Sequence, residues 1–428
     1  VAKNLLLALA IVVGLAGLTS QDAAGASEFK VLYSLCAEPN CTDGVFLPGG
    51  LLRDPSGTLY GVAYTGGATP NGGTVFALTP DGGDWQLQVL YSFCTQANCA
   101  DGKGPDGGLV EDTLGNLYGT TLTDSTGGGT VFKLARNAAR TSWTHSVLYT
   151  FCQTAGCPDG QSPHAPLTYQ GAVSGAPYDG TSPLYGITQT GGSTQGGVVY
   201  QLAPGAGGSW TETVIDDLCQ GSGCKTGHTP GGGLLMDASG NLFLNTAKGG
   251  GADAGTIIEL SEMQGSWTAK QIYSFCATTD CTEGKTPSGT LAIDPAGHLF
   301  GTAEAGGTHQ GGVLFELSPA KRKWKEHVLY DFCKKSRCKD GTPPVGVTLD
   351  GSGGLIGAAA FGGDAREGAG TLYRFSSGAF HLLHTFCTER NCPDGILPSG
   401  AFAADGAGNY FGTTYEGGTG GVIFEITP

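Results

Sequence analysis

The chain has 428 residues and a formal charge of -15, which argues against nucleic acid and anionic membranes as its main partners. Glycine supplies 76 residues with no three-residue period, which excludes collagen, and 39% hydrophobic residues leave material for a buried core.

Reading from the start, Lys3 is followed by the apolar run "LLLALAIVVGLAGL" (5–18) and the small residues "AGAS". This pattern predicts a secretory signal peptide over 1–26, its apolar stretch too short to span a bilayer comfortably. The remaining 27–428 should form one domain with no transmembrane segment. The expected localisation is secreted or cell-surface.

The first repeat unit reads as short strands bounded by turns: "GGLLRD", "LYGVAY", "TVFALT" and "WQLQVLYSFC". Asp54, Asp112, Asp237, Asp294, Asp350 and Asp405 each open a D-x-x-G stretch, in which the carboxylate caps a turn and glycine takes the positive φ. Calcium loops would need oxygen ligands at alternating positions, and these are missing. The basic stretches "KRKWKEH" (321–327) and "KKSRCK" (334–339) read as a solvated face.

The unit recurs seven times. The first cysteine of each C-x4-C pair falls at 36, 94, 152, 219, 276, 333 and 387, a period of 54 to 67 residues. The longest interval holds an insertion, "YQGAVSGAPYDGTSP", at 169–183. Four strands per unit at this period predict an all-β, seven-bladed β-propeller of four-stranded antiparallel blades. The last unit supplies three strands, and "EFKVLYSLC" near the amino end supplies the fourth, so the N-terminal strand should close the last blade. Trp85, Trp143, Trp210, Trp267 and Trp324 lie nine residues before the first cysteine of their pair, and Phe29 and Phe380 lie seven before. An offset of two keeps a strand side chain on one face, so all seven are expected in the core or between blades.

A zinc site needs four ligands and each unit offers two, while a thiol redox motif needs a two-residue spacing. The pairs are therefore expected to be disulfides, one per blade: Cys36 with Cys41, Cys94 with Cys99, Cys152 with Cys157, Cys219 with Cys224, Cys276 with Cys281, Cys333 with Cys338 and Cys387 with Cys392. Export makes such bridges persistent. No metal and no cofactor are expected.

The stretches "NLYGTTLTDSTGGGTVFKL" (116–134), "LYGITQTGGSTQGGVVYQL" (184–202), "LFGTAEAGGTHQGGVLFEL" (299–317) and "YFGTTYEGGTGGVIFEI" (410–426) resemble the GloVer-type tandem repeat of choice-of-anchor exported bacterial proteins. The resemblance implies a propeller at the cell surface and brings no catalytic residue with it. The chain departs from that plan in having no C-terminal anchor segment, which favours free secretion.

Sites are sought where one unit breaks the pattern. His164 stands where the other units carry Gly49, Asp106, Gly231, Ser288, Val345 and Ser399, and His228 follows "KTG" where most units have "DG" or "EG". The Gly-Gly loops add Asp124, Asp253, His309, Asp364, Arg366, Glu367 and Glu416. Three functions follow. The leading one is non-catalytic binding of an extracellular glycan or protein through the cysteine rim. The second is a polysaccharide lyase, hydrolase or lactonase using His164 and His228 at the channel mouth. The third is self-association by strand exchange of residues 28–36.

Overall fold

The computed structural model describes residues 27–221, 223–321, 323–364 and 368–428; the expected signal peptide and the candidates Arg366 and Glu367 lie outside the described residues. Seven antiparallel sheets form the seven blades of a propeller. In each, the chain runs from the inner strand outward, as in blade 2: Lys103–Glu111, Leu117–Thr123, Thr130–Arg136 and Trp143–Thr150. In blade 7 the outermost strand is Glu28–Ser34, paired antiparallel with Val422–Thr427 from Glu28↔Thr427 to Ser34↔Val422. The two ends of the chain thus share one sheet, as expected from the sequence.

Burial explains the strand patterns. Second strands are sandwiched between neighbouring blades and read as unbroken apolar runs, such as Leu59–Ala63, buried throughout. Outer strands have one wet face, and Asp84–Ser92 alternates accordingly. Among the described residues the core divides into seven clusters, each shared by two adjacent blades. The interfaces between blades therefore hold most of the apolar burial.

In six of the seven second strands one glycine makes room for the ring facing it. A Cβ on Gly119 would lie 2.7 Å from the Phe132 ring, and one on Gly61 would lie 2.5 Å from Phe76. Blade 4 solves the same volume problem with Leu244 opposite Ile258, a larger residue beside a smaller one.

The tryptophans pack between blades as expected. Each meets a second-strand aromatic of the preceding blade edge-on: Trp143 on Tyr60, Trp210 on Tyr118, Trp267 on Tyr185, Trp324 on Phe243 and Trp85 on Phe411. Phe29 and Phe380 also lie between blades, but in another layer. Phe380 stacks on Tyr330 and Phe29 on His384, next to the disulfide loops. The two-residue offset keeps the face while moving the side chain along the strand, so these phenylalanines replace His145, which stacks on Tyr91, rather than tryptophan.

Candidate functional site

All seven C-x4-C pairs are disulfides, and no cysteine is free among the described residues. Each bridged loop lies at the crossing from an outer strand to the next inner strand. In six of the seven a buried or half-buried carboxylate fills it. Asp101 accepts hydrogen bonds from the Tyr91 hydroxyl and from the Thr95 and Gln96 amides. Asp340 does the same with Tyr330, Lys334 and Lys335. The loop of Cys219 has neither partner: Asp216 stands where five other units have tyrosine and one has His384, and Thr226 where all six have the acid.

The Gly-Gly loops join this rim. The amides of Gly67, Gly307 and Gly363 donate to the carbonyls of Cys41, Cys281 and Cys338 at 3.0–3.1 Å. A second bond ties each blade to the next. A residue in the left-handed region, such as Phe46, Gly104, Ser162, Thr229, Thr286 or Leu397, donates its amide to the preceding blade's loop, for example Ser162 to Gly128 at 2.8 Å. Rim loops are thereby held rigid on a sheet scaffold.

These left-handed residues also fix the register of the inner strands. Two positions beyond them stand Pro48, Asp106, His164, Gly231, Ser288 and Ser399. The residue equivalent to His164 in the first unit is therefore Pro48, not Gly49. Gly49 belongs to the next position, where a Cβ on it would lie 2.5 Å from the backbone of Gly107, and one on Gly107 would lie 2.4 Å from Ala165. Glycine here lets neighbouring inner strands touch backbone to backbone, and the channel narrows to a waist. Along the axis lies a cavity of about 560 Å³ with walls from all seven blades, Asp106 and His164 among them.

The structure separates the two candidate histidines. His228 begins the inner strand of blade 4 at the rim, with Nε2 3.7 Å from Asp253 Oδ1. His164 sits in blade 3, three positions deeper in register, about 10 Å by strand rise. Its Nε2 is sealed and has no partner, and burial pushes its pKa down to about 4. Burial also raises the Asp106 carboxyl, against one amide donor, Gly107.

The described loop candidates are mostly held by neighbouring groups. Asp124 accepts the amides of Thr126, Gly128 and Gly129. Asp253 accepts the Gly249 amide at 2.8 Å. His309 pairs with Asp331 at 3.1 Å, and Asp364 with Lys339 at 2.5 Å. Glu416 ends the second strand of blade 7, opposite Ile396.

What the sequence reading missed is aromatic. Tyr415 of blade 7 stacks on Phe46 of blade 1, with ring centroids 5.0 Å apart and planes at 16°. Tyr64 of blade 1 lies against Gly104 of blade 2, so close that a Cβ there would be 3.0 Å from its ring. Burial raises the Tyr415 hydroxyl's pKa, and the nearby Tyr64, Glu416 and Asp106 raise it further. All three rings are half-buried. They form a crescent at the channel mouth on the disulfide rim, with Asp106 next to it. The signal was available as a pattern break. Phe46 replaces small or aliphatic residues of other units, and tyrosine at 64 and 415 replaces Leu122, Gln189, Ala247, Glu304 and Ala360.

Fold and rim together define a disulfide-stapled seven-bladed propeller with an aromatic-edged mouth. The chain belongs to the Gloeobacter/Verrucomicrobia repeat family, whose sequence model matches residues 18–182 and 268–428. No curated protein matches it. Among solved structures it is similar to a puromycin hydrolase mutant, at 10% identity and TM-score 0.53, covering 89% of this chain and 52% of that one. It is also similar to the extracellular domain of a candidate hybrid two-component system from B. thetaiotaomicron, at 12% identity and TM-score 0.51, covering 92% of this chain and 40% of that one. A candidate 6-phosphogluconolactonase from Bacteroides uniformis ATCC 8492 matches at 14% identity and TM-score 0.49, over 83% of this chain and 88% of that one. At these identities the likeness is one of fold.

Proposed function

We propose that this protein is an exported binding propeller that takes an extracellular glycan at the channel mouth on its disulfide rim. The observation that carries the reading is the crescent of Phe46, Tyr415 and Tyr64 beside the buried carboxyl of Asp106. Rigid aromatic faces offer a sugar ring apolar contact at low entropic cost, and a neighbouring acid accepts from its hydroxyls. Seven disulfides fit an oxidising compartment, and no helix among the described residues is long and apolar enough to cross a membrane. The concave mouth favours a glycan over a protein partner, which would use a broader, flatter patch. Turnover by a histidine pair would need His164 and His228 within reach of one substrate atom, and their depths in the channel differ. Glycan-array screening of the oxidised protein, followed by calorimetry on hits, tests the reading. Phe46→Ala with Tyr415→Ala should weaken a hit by about 2 kcal/mol, some thirtyfold, with the propeller still folded at a modestly lowered melting temperature. Undiminished affinity in that double variant removes the mouth from recognition.

A further inference from the structure

A second cavity lies on the opposite rim and owes one wall to the insertion peculiar to the third unit. It measures about 760 Å³ and opens between the D-x-x-G turns of blades 1 and 2 and residues 175–177 of the insertion. That insertion is firmly seated. Tyr178 is fully buried, its amide donates to the Glu111 carbonyl at 3.0 Å, and its own carbonyl accepts the Thr113 amide at 2.9 Å. The Tyr169 hydroxyl donates to the Ala176 carbonyl at 2.6 Å and braces the loop from below.

The charged groups on this cavity divide into committed and free. Asp54 is spent on the Ser56 and Thr58 amides, and Asp112 on the Leu114 and Asn116 amides and the Tyr118 hydroxyl. Arg136 holds its guanidinium 5.2 Å over the Trp143 ring, and its Nε is buried without a partner. Arg140 projects from the same hairpin. The arginine and lysine ion pairs of the described residues, Arg374 with Asp350 and Lys339 with Asp364, lie on other blades. Two guanidiniums, the Glu111 carboxyl and the Tyr169 ring are therefore left facing one space.

We infer that this cleft is a second binding site, for an acidic monosaccharide unit whose carboxylate is held by Arg136 and Arg140 and whose ring hydroxyls reach Glu111. Paired guanidiniums match a planar carboxylate. The acids on the floor oppose a compact dianion such as phosphate and accept from neutral hydroxyls, so a singly charged, hydroxyl-rich ring fits both ends. This inference rests on a different cavity from the mouth and stands or falls separately.

The test is calorimetry of the oxidised protein with galacturonate and glucuronate, beside galactose, glucose and inorganic phosphate. A uronate should bind, the neutral sugars and phosphate should bind at least tenfold more weakly, and Phe46→Ala should leave uronate binding intact. Arg140→Gln, at an exposed position, should weaken it at least tenfold without a change in melting, and Arg136→Gln should add to the loss. The inference is overturned if neither uronate binds at about 10 mM, a free energy near -2.7 kcal/mol. It is equally overturned if phosphate binds as tightly, if Arg140→Gln with Arg136→Gln changes nothing, or if Phe46→Ala abolishes binding.

Discussion

The Thr342 hydroxyl donates to the Gly311 carbonyl at 3.0 Å, across the interface between blades 5 and 6. In the other blades this bridge starts from the backbone amide of the left-handed residue, as Thr229 gives to Gly196 at 3.2 Å. Blade 6 has Pro343 there, which carries no N–H, and the side chain one residue earlier takes over. Thr342→Val leaves the carbonyl without a donor and should cost about 1 kcal/mol in chemical denaturation. Thr229→Val keeps its backbone bridge and should cost less than half as much.

The first loop glycine should be equally exacting for steric reasons. A Cβ on Gly128 would lie 2.0 Å from the Phe151 carbonyl oxygen. Gly128→Ala must move two backbone segments apart, at about 1–3 kcal/mol, and should lower the melting temperature measurably. Ala369→Gly, where the chain already holds a methyl group, should change stability by less than about 1 kcal/mol.

Two buried carboxyls should cost stability as the solution turns from acidic to neutral. Glu212 and Glu326 occupy the layer filled elsewhere by His145 and Phe380, and each leaves Oε1 buried without a partner. Burial, then the charge of Asp159 or Glu283 respectively, raises both carboxyls to about 7 from 4.5. A raised folded pKa means the favoured state is protonated: the contribution is complete below 4.5 and is lost as pH rises through about 7. The glutamate contribution to the melting temperature should therefore be lost progressively between about pH 4.5 and pH 7 and level off above it. His145 and His164, held down to about 4 by burial, oppose the fall below about pH 6.5. Glu212→Gln with Glu326→Gln should flatten that slope and gain roughly 1 kcal/mol per site at pH 8, after allowance for solvent screening.

Removing single disulfides should distinguish their loops. Closure of about six residues contributes roughly 2 kcal/mol in each. Without its bridge, the Cys94 loop keeps the Asp101 hydrogen bonds to Tyr91, Thr95 and Gln96. The Cys219 loop has Asp216 and Thr226 in place of tyrosine and acid. Cys219→Ser with Cys224→Ser should thus expose residues 219–227 to a broad-specificity protease under native conditions. Cys94→Ser with Cys99→Ser should leave its loop protected on the same timescale.

Repeat number, strand count, disulfide pairing and closure by the amino-terminal strand were legible because each leaves a mark that recurs at fixed spacing. The register of the first inner strand was not. "LPGG" invites alignment of Pro48 with Pro105, whereas Leu47 holds that proline's place and Pro48 stands opposite Asp106. The aromatic crescent escaped for a different reason. Phe46 and Tyr415 come from opposite ends of the chain, and their stacking exists only because the ring closes. The cleft under the insertion escaped because the arginines and Glu111 look like ordinary surface charge until the turns are seen to use up Asp54 and Asp112.

The pairing of Glu28–Ser34 with Val422–Thr427 has a temporal side. The Glu28–Ser34 strand is synthesised long before its partner Val422–Thr427, so an edge strand waits through translation with its ladder unfilled. Any factor that shields nascent chains would meet this strand throughout the synthesis of the seven blades.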